Sequence, residues 1–156
     1  MLLLRKTTGN PGVRLKPSAQ KYMEKNMNLK EHTISVLEII KAEKIVRKYL
    51  KETNLIHYQS LSELVGANVF IKHENHNLGG SFKIRGGINL IHHVQASKIA
   101  GVITFTTGNH GISIALASKI YGIKSTVVVP IGNNPKKNTM ILEAGARLIE
   151  AGKKLR

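Results

Sequence analysis

Beyond residue 30 the hydrophobic positions of the chain follow two periods in turn. From about Ser35 to Lys51, Val36, Ile39, Ala42, Val46, Tyr49 and Leu50 recur at helical spacing, with Lys41, Lys44 and Lys48 largely on the opposite face. Ser35 and Glu38 form an S-x-x-E box at its start, in which each side chain satisfies an unpartnered amide of the first turn. LIHY, after Thr53 and Asn54, reads as a short strand. Ser60 and Glu63 make a second such box over a short helix that ends at Gly66. Asn68 to Lys72 alternates and reads as a strand. After KHENHNLGGSFKIRGG the pattern predicts a helix from Ile84 to about Ser97, a strand from Val102 to Phe105, and the turn TTGNHG. It then predicts a helix from His110 to Tyr121 ended by Gly122, a strand from Ser125 to Val129 stopped by Pro130, a helix from Pro135 to Ala144, and a strand beginning at Arg147 to Ile149.

Strand, helix and strand joined by short loops require parallel strands with crossover helices, so the fold class is α/β with an open parallel sheet. Apolar strands such as STVVV suit a sheet covered on both faces. In such sheets the binding crevice lies beyond the carboxyl ends of the strands, where TTGNHG sits. Residues 1–30, with TTGNPG, Lys16-Pro17-Ser18 and isolated charges, carry no sustained apolar period and read as a basic, disordered tail.

Composition narrows the function. With 156 residues and 42% hydrophobic content the chain makes one domain, or one with an appendage. The absence of cysteine excludes disulfides, thiolate metal sites and a cysteine nucleophile. MLLLRK is too short for a signal-peptide core and no run reaches membrane-spanning length, so the expected location is the cytoplasm. The excess of 24 Lys+Arg over 9 Asp+Glu, a formal charge of +15, raises a nucleic-acid partner. The basic residues are spread without a block, however, and the three Phe and four Tyr do not alternate with them as stacking platforms.

Two motifs carry chemistry. TTGNHG leads from a strand into a helix, where free amides and the helix dipole favour an anion. Thr106, Thr107, Asn109 and His110 add side-chain hydrogen bonds there; the alternative is an ordinary turn capped by Asn109 or Thr107. In GGSFKIRGG, Lys83 is either a solvated lysine in a first helical turn or an amine desolvated by Phe82 and the glycine turns. Desolvation would favour the neutral amine, which attacks aldehydes to form a Schiff base, the linkage by which lysines hold pyridoxal phosphate. His73, Glu74 and His76 lack the helical H-E-x-x-H arrangement of a zinc site, and His92–His93 reads as one core and one surface histidine.

Taken together, HENHNLGGSFKIRGG and TTGNHGISIALASKIYGIKSTVVVP resemble the fold type II pyridoxal-phosphate enzymes, the tryptophan-synthase β-like family. Within it the resemblance is to threonine dehydratases and serine racemase, and it extends through SLSELVGANVFIKHEN and NPKKNTMILEAGARLIEAG. It implies pyridoxal 5′-phosphate as cofactor, with Lys83 as both its anchor and the base at the substrate Cα, Phe82 walling the cofactor, and Asn109 bonding its phenolic oxygen. Thr106, Thr107, Asn109 and His110 would hold the substrate carboxylate. The implied reaction is loss of water from a hydroxy amino acid, threonine or serine, to a 2-keto acid and ammonia, by a homo-oligomer.

Residues 1–30 would then be the tail, 31–100 the N-terminal part of the large cofactor domain, and 101–156 a small α/β domain incomplete at its C-terminus. Three positions depart from the family pattern: Thr107 stands where racemases place serine, Thr53-Asn54-Leu55 replaces Thr-Pro-Leu, and Gly80 replaces a common threonine. Family members run longer and supply a glycine-rich loop for the cofactor phosphate; here Gly132, Gly145 and Gly152 are isolated, so the fold is expected to be truncated. The alternatives are an inactive fragment that binds a partner chain, a racemase-like enzyme, and a basic nucleic-acid-binding module.

Overall fold

The computed structural model describes residues 34–97 and 99–152; the tail expected over residues 1–30 lies outside them. The chain divides at Val36 into two units, and every element below belongs to the second. In chain order these are α1 (Val36–Val46), β1 (Leu55–His57), α2 (Gln59–Val65), β2 (Phe70–Lys72), a 3-10 turn (Glu74–His76), α3 (Lys83–Gln95), β3 (Val102–Phe105), α4 (Asn109–Ile120), β4 (Ser125–Val129), α5 (Pro135–Glu143) and β5 (Arg147–Glu150).

The predicted parallel sheet is present, in the order β3-β4-β5, with Val102 opposite Ser125 and Thr126 opposite Arg147. Two successive right-handed crossovers that step in one direction place their helices on one face, and α4 and α5 do pack against each other. Val127 and Val129 are fully buried beneath them with Ile112, Ala115 and Ile141. The expectation of a sheet covered on both faces is therefore corrected. Ile103 and Phe105, on the other face, are 71% and 64% exposed, because no described element lies over them.

A second core joins α1, α3 and α4 through Val46, Leu50, Ile84, Ile88, Ile91, Ile114 and Ala117. The central helix α4 thus buries opposite flanks in two cores, which is why its sequence is apolar all round. It ends as its glycine predicts: Gly122 has φ of 67°, its amide donates to the Lys119 carbonyl and that of Ile123 donates to Ser118. No described helix is long and apolar enough to cross a membrane.

β1 and β2 form a separate antiparallel pair, with Leu55 opposite Lys72 and His57 opposite Phe70. Two local readings change. Helix α1 begins directly after Ser35 but ends at Val46, where Lys48 and Tyr49 turn to tighter i→i+3 bonds on Ile45 and Val46. Its apolar stripe is buried only at its end; Val36 and Ile39 are 71% and 59% exposed. The Ser60–Glu63 box does not form. Helix α2 starts two residues earlier than that box implies, Tyr58 caps it without a side-chain bond, and Glu63 instead accepts from Gln59 Nε2 at 2.7 Å.

Candidate active site

The segment that carries Lys83 is fixed to α4 on both sides of the lysine. Gly79 and Gly80 turn the chain with φ of 76° and 70°, which L side chains seldom adopt. A Cβ on Gly79 would come within 2.8 Å of Leu116 Cδ1, so the turn is seated directly on α4. One turn into α3, a Cβ on Gly87 would stand 2.8 Å from the backbone carbonyl oxygen of Ser113. The two helices therefore cross nearly backbone to backbone at Gly87, one helical turn beyond Lys83 on α3 and one beyond His110 on α4.

A polar lock holds the same segment from below. Glu74 receives Arg85 Nε on Oε2 at 2.7 Å and Arg85 Nη2 on Oε1 at 2.9 Å, a two-pronged pairing. Thr53 Oγ1 donates to its Oε1 at 2.7 Å and Asn77 Nδ2 to its Oε2 at 2.6 Å. The Arg85 hydrogen bonds hold the Glu74 carboxyl at a pKa of about 2, against the opposing effect of burial. Arg85 lies two residues after Lys83, so the lock sets the start of α3. It also ties down the Thr53–Asn54 segment, where the Asn54 carbonyl accepts from the His73 amide at 2.9 Å and the Thr53 carbonyl from Lys72 Nζ. Of the histidines raised as metal ligands, His73 bonds the Tyr58 hydroxyl at 2.9 Å and stacks on His76. Further along α3, His92 is half-buried against the Tyr121 hydroxyl at 3.2 Å and His93 is exposed.

At the other motif, the Thr106 hydroxyl accepts the Gly108 amide at 3.1 Å, and the first amide bonded within α4 is that of Ile112, on the Gly108 carbonyl at 3.2 Å. The amides of Asn109, His110 and Gly111 are the open donors of that helix end. Neither Asn109 nor Thr107 caps the helix; Gly108 is its cap residue and makes no side-chain bond. Thr106, Asn109 and His110 are half-buried and Thr107 is exposed. Burial lowers the pKa of His110, and the positive charge of Lys83 lowers it further.

Of the two readings of Lys83, the structure shows the solvated one. Lys83 is exposed, and Phe82, whose ring centroid lies 5.4 Å from its Nζ, is itself 60% exposed. Of the glycines expected to shield the lysine, Gly79 and Gly87 face α4, while Gly80 and Gly86 face open space. The sequence reading also passed over Lys137, in the first turn of α5, whose Nζ donates to Asn109 Oδ1 at 2.6 Å. The signal was available: the β4–α5 loop leaves the same end of the sheet as TTGNHG, from the adjacent parallel strand.

Residues 46–156 match the family described as pyridoxal-phosphate dependent enzyme. The chain belongs to that family. Its fold is the type II fold of these pyridoxal-phosphate enzymes, and pyridoxal 5′-phosphate is their cofactor. It is 32% identical over 123 residues to serine racemase of Arabidopsis thaliana, covering 78% of this chain and 37% of that protein. It is 35% identical over 120 residues to L-threonine ammonia-lyase of Thermotoga maritima, covering 76% and 30%. A crystal structure of a pyridoxal 5′-phosphate-dependent aspartate racemase superposes with a TM-score of 0.72 at 32% identity, over 76% of this chain and 38% of that one. The chain thus spans between 30% and 38% of the length of these pyridoxal-phosphate enzymes.

The described residues fit the cofactor in the chemistry of their donors. Lys83 offers an accessible primary amine to an aldehyde, and the open amides of α4 with the Thr106, Thr107 and Asn109 side chains offer hydrogen bonds to an oxyanion.

Proposed function

We propose that this chain is the lysine-bearing part of an enzyme that removes water from a hydroxy amino acid, threonine or serine, and yields a 2-keto acid and ammonia. The observation that carries the reading is the seating of the GGSFKIRGG segment on α4 through Gly79 and Gly87, the helix whose first turn begins at the TTGNHG motif. When bound, pyridoxal phosphate supplies an electron sink for the substrate Cα. This chain's residues do the rest. Lys83 would hold the cofactor through its aldehyde and would take the proton from the substrate Cα. Asn109 would donate to the cofactor's phenolic oxygen, and Phe82 would form part of the cofactor wall. The amides of α4's first turn, with Thr106, Thr107, Asn109 and His110, hold the substrate carboxylate in place. His110 with a depressed pKa is neutral at pH 7, so it orients the carboxylate by a hydrogen bond. The β-hydroxyl leaves as water, and water returned on hydrolysis releases ammonia. The same reading takes the working enzyme as a cytoplasmic homo-oligomer.

Racemisation is the second reading, favoured by the likeness to the serine and aspartate racemases. It needs an acid on the face opposite Lys83. Thr107, which stands exposed at the position in question, keeps a hydroxyl but adds a methyl group.

Product analysis separates the readings. With pyridoxal phosphate and L-threonine or L-serine, the chain is expected to form 2-keto acid slowly, above the rate of free cofactor, and to lose that excess in Lys83→Ala. Accumulation of the D-enantiomer without keto acid decides for the racemase. Equal turnover by the chain and by Lys83→Ala contradicts both.

A further inference from the structure

An asparagine side chain presents an acceptor on one prong and donors on the other, and its own geometry does not say which faces a ligand. At Asn109 the choice is made by a neighbour. An ammonium group has donors only, so Lys137 Nζ, 2.6 Å away, must take Oδ1, and its charge strengthens the bond. The planar amide then turns Nδ2 the other way, as a donor. Lys137 reaches this point from the first turn of α5 across 28 residues of sequence, with its stem lying over Gly108: a Cβ there would touch Lys137 Cγ and Cδ at 3.7 Å. The backbone of Lys137 is held in turn, its amide donating to the Asn134 cap at 3.3 Å. Lys137 is half-buried, whereas Lys136 beside it is exposed.

We propose that Lys137 is a positioning residue. It pins the Asn109 carbonyl oxygen so that the amide nitrogen is offered to an oxygen acceptor, an oxyanion or phenolate, and not to a donor. The inference rests on the reading of the Thr106–His110 turn as a ligand site, and it assigns to α5 a part in selecting that ligand's chemistry.

The test uses the full chain and two variants. Lys137→Met keeps the stem over Gly108 and removes the donor, and Lys137→Arg restores a donor. In nitrogen-15 spectra, the Asn109 side-chain amide, identified by its loss in Asn109→Asp, is expected to move in Lys137→Met while the backbone amides of α4 and α5 stay in place. Lys137→Arg is expected to return it towards its position in the unaltered chain. An Asn109 amide that does not respond, or that moves only together with both helix backbones, overturns the proposal. Binding of pyridoxal phosphate is expected to weaken roughly tenfold in Lys137→Met and to recover in Lys137→Arg, the loss of one hydrogen bond's worth of free energy. Equal affinity in all three proteins overturns the link to the ligand. Failure of every protein to take up the cofactor at Lys83 counts against the proposed function, while the Asn109 signal still decides the role of Lys137.

Discussion

Arg85→Ala is expected to lower the stability of the chain by about 2 kcal/mol at pH 7, measured by urea unfolding. The variant leaves the largely buried Glu74 carboxylate, 21% exposed, without its two-pronged cation. Fully buried pairs broken in this way lose about 3–5 kcal/mol. Here the Arg85 side chain is 34% exposed and Thr53 and Asn77 still donate to Glu74, so the smaller figure applies. The pair also writes a signature in pH. The Glu74 pKa is depressed from 4.5 to about 2, so its contribution is complete above pH 4.5 and is lost as pH falls towards 2. The stability difference between the unaltered chain and Arg85→Ala should therefore shrink across that window and nearly vanish at its acid end. Two curves that stay parallel from pH 7 to pH 2 contradict the account. Comparing the two proteins cancels most of the general acid destabilisation that a chain of formal charge +15 also carries.

Gly87→Val is expected to be the most damaging single change at the helix crossing, and it reaches from packing to the site. Adding side-chain volume where a Cβ already stands 2.8 Å from the Ser113 carbonyl oxygen must push α3 away from α4. Overpacking of this kind costs about 3 kcal/mol at its upper end. Because Lys83 rides on the first turn of α3, the shift also carries it away from the α4 turn, so cofactor attachment should fall with stability. The neighbouring glycine is the control. A Cβ on Gly86 meets nothing within 4 Å, so Gly86→Ala should stabilise the chain by up to about 1 kcal/mol through helix propensity alone. Thermal unfolding of the two variants should move in opposite directions. Equal destabilisation by both would show that the crossing is looser than described.

The contrast between these adjacent glycines also marks where the sequence stops being readable. Strands β3 and β4 were found at their full predicted extents because runs such as VITF and STVVV, bounded by Gly and Pro, have few other solutions. The family motifs likewise carried the fold class and the cofactor, since both depend on short local patterns. The pairing of β1 with β2 was not legible. Helix α2 lies between them, and strands of three exposed residues show no alternating burial. The uncovered face of the sheet was hidden as well, because an all-apolar strand reads the same whether one face or two are covered. The contacts that shape the site were the least accessible. Arg85 and Glu74 lie 11 residues apart and Lys137 and Asn109 lie 28 apart, and which polar groups meet at that range is set by helix crossings that local pattern does not encode. The exposure of Lys83 belongs to the same class: of the glycines around it, Gly79 and Gly87 are seated on α4 and Gly80 and Gly86 face open space, a division that the local pattern does not encode.

The central claim is that Lys83 is the cofactor lysine, and it can be tested directly. The purified chain is mixed with pyridoxal phosphate, reduced with borohydride, and digested, and the modified lysine is located by peptide mass. Near-stoichiometric labelling at Lys83, lost in Lys83→Ala without labelling appearing elsewhere, is the predicted result. Labelling scattered over the chain's many other lysines, at levels no higher at Lys83, would contradict it.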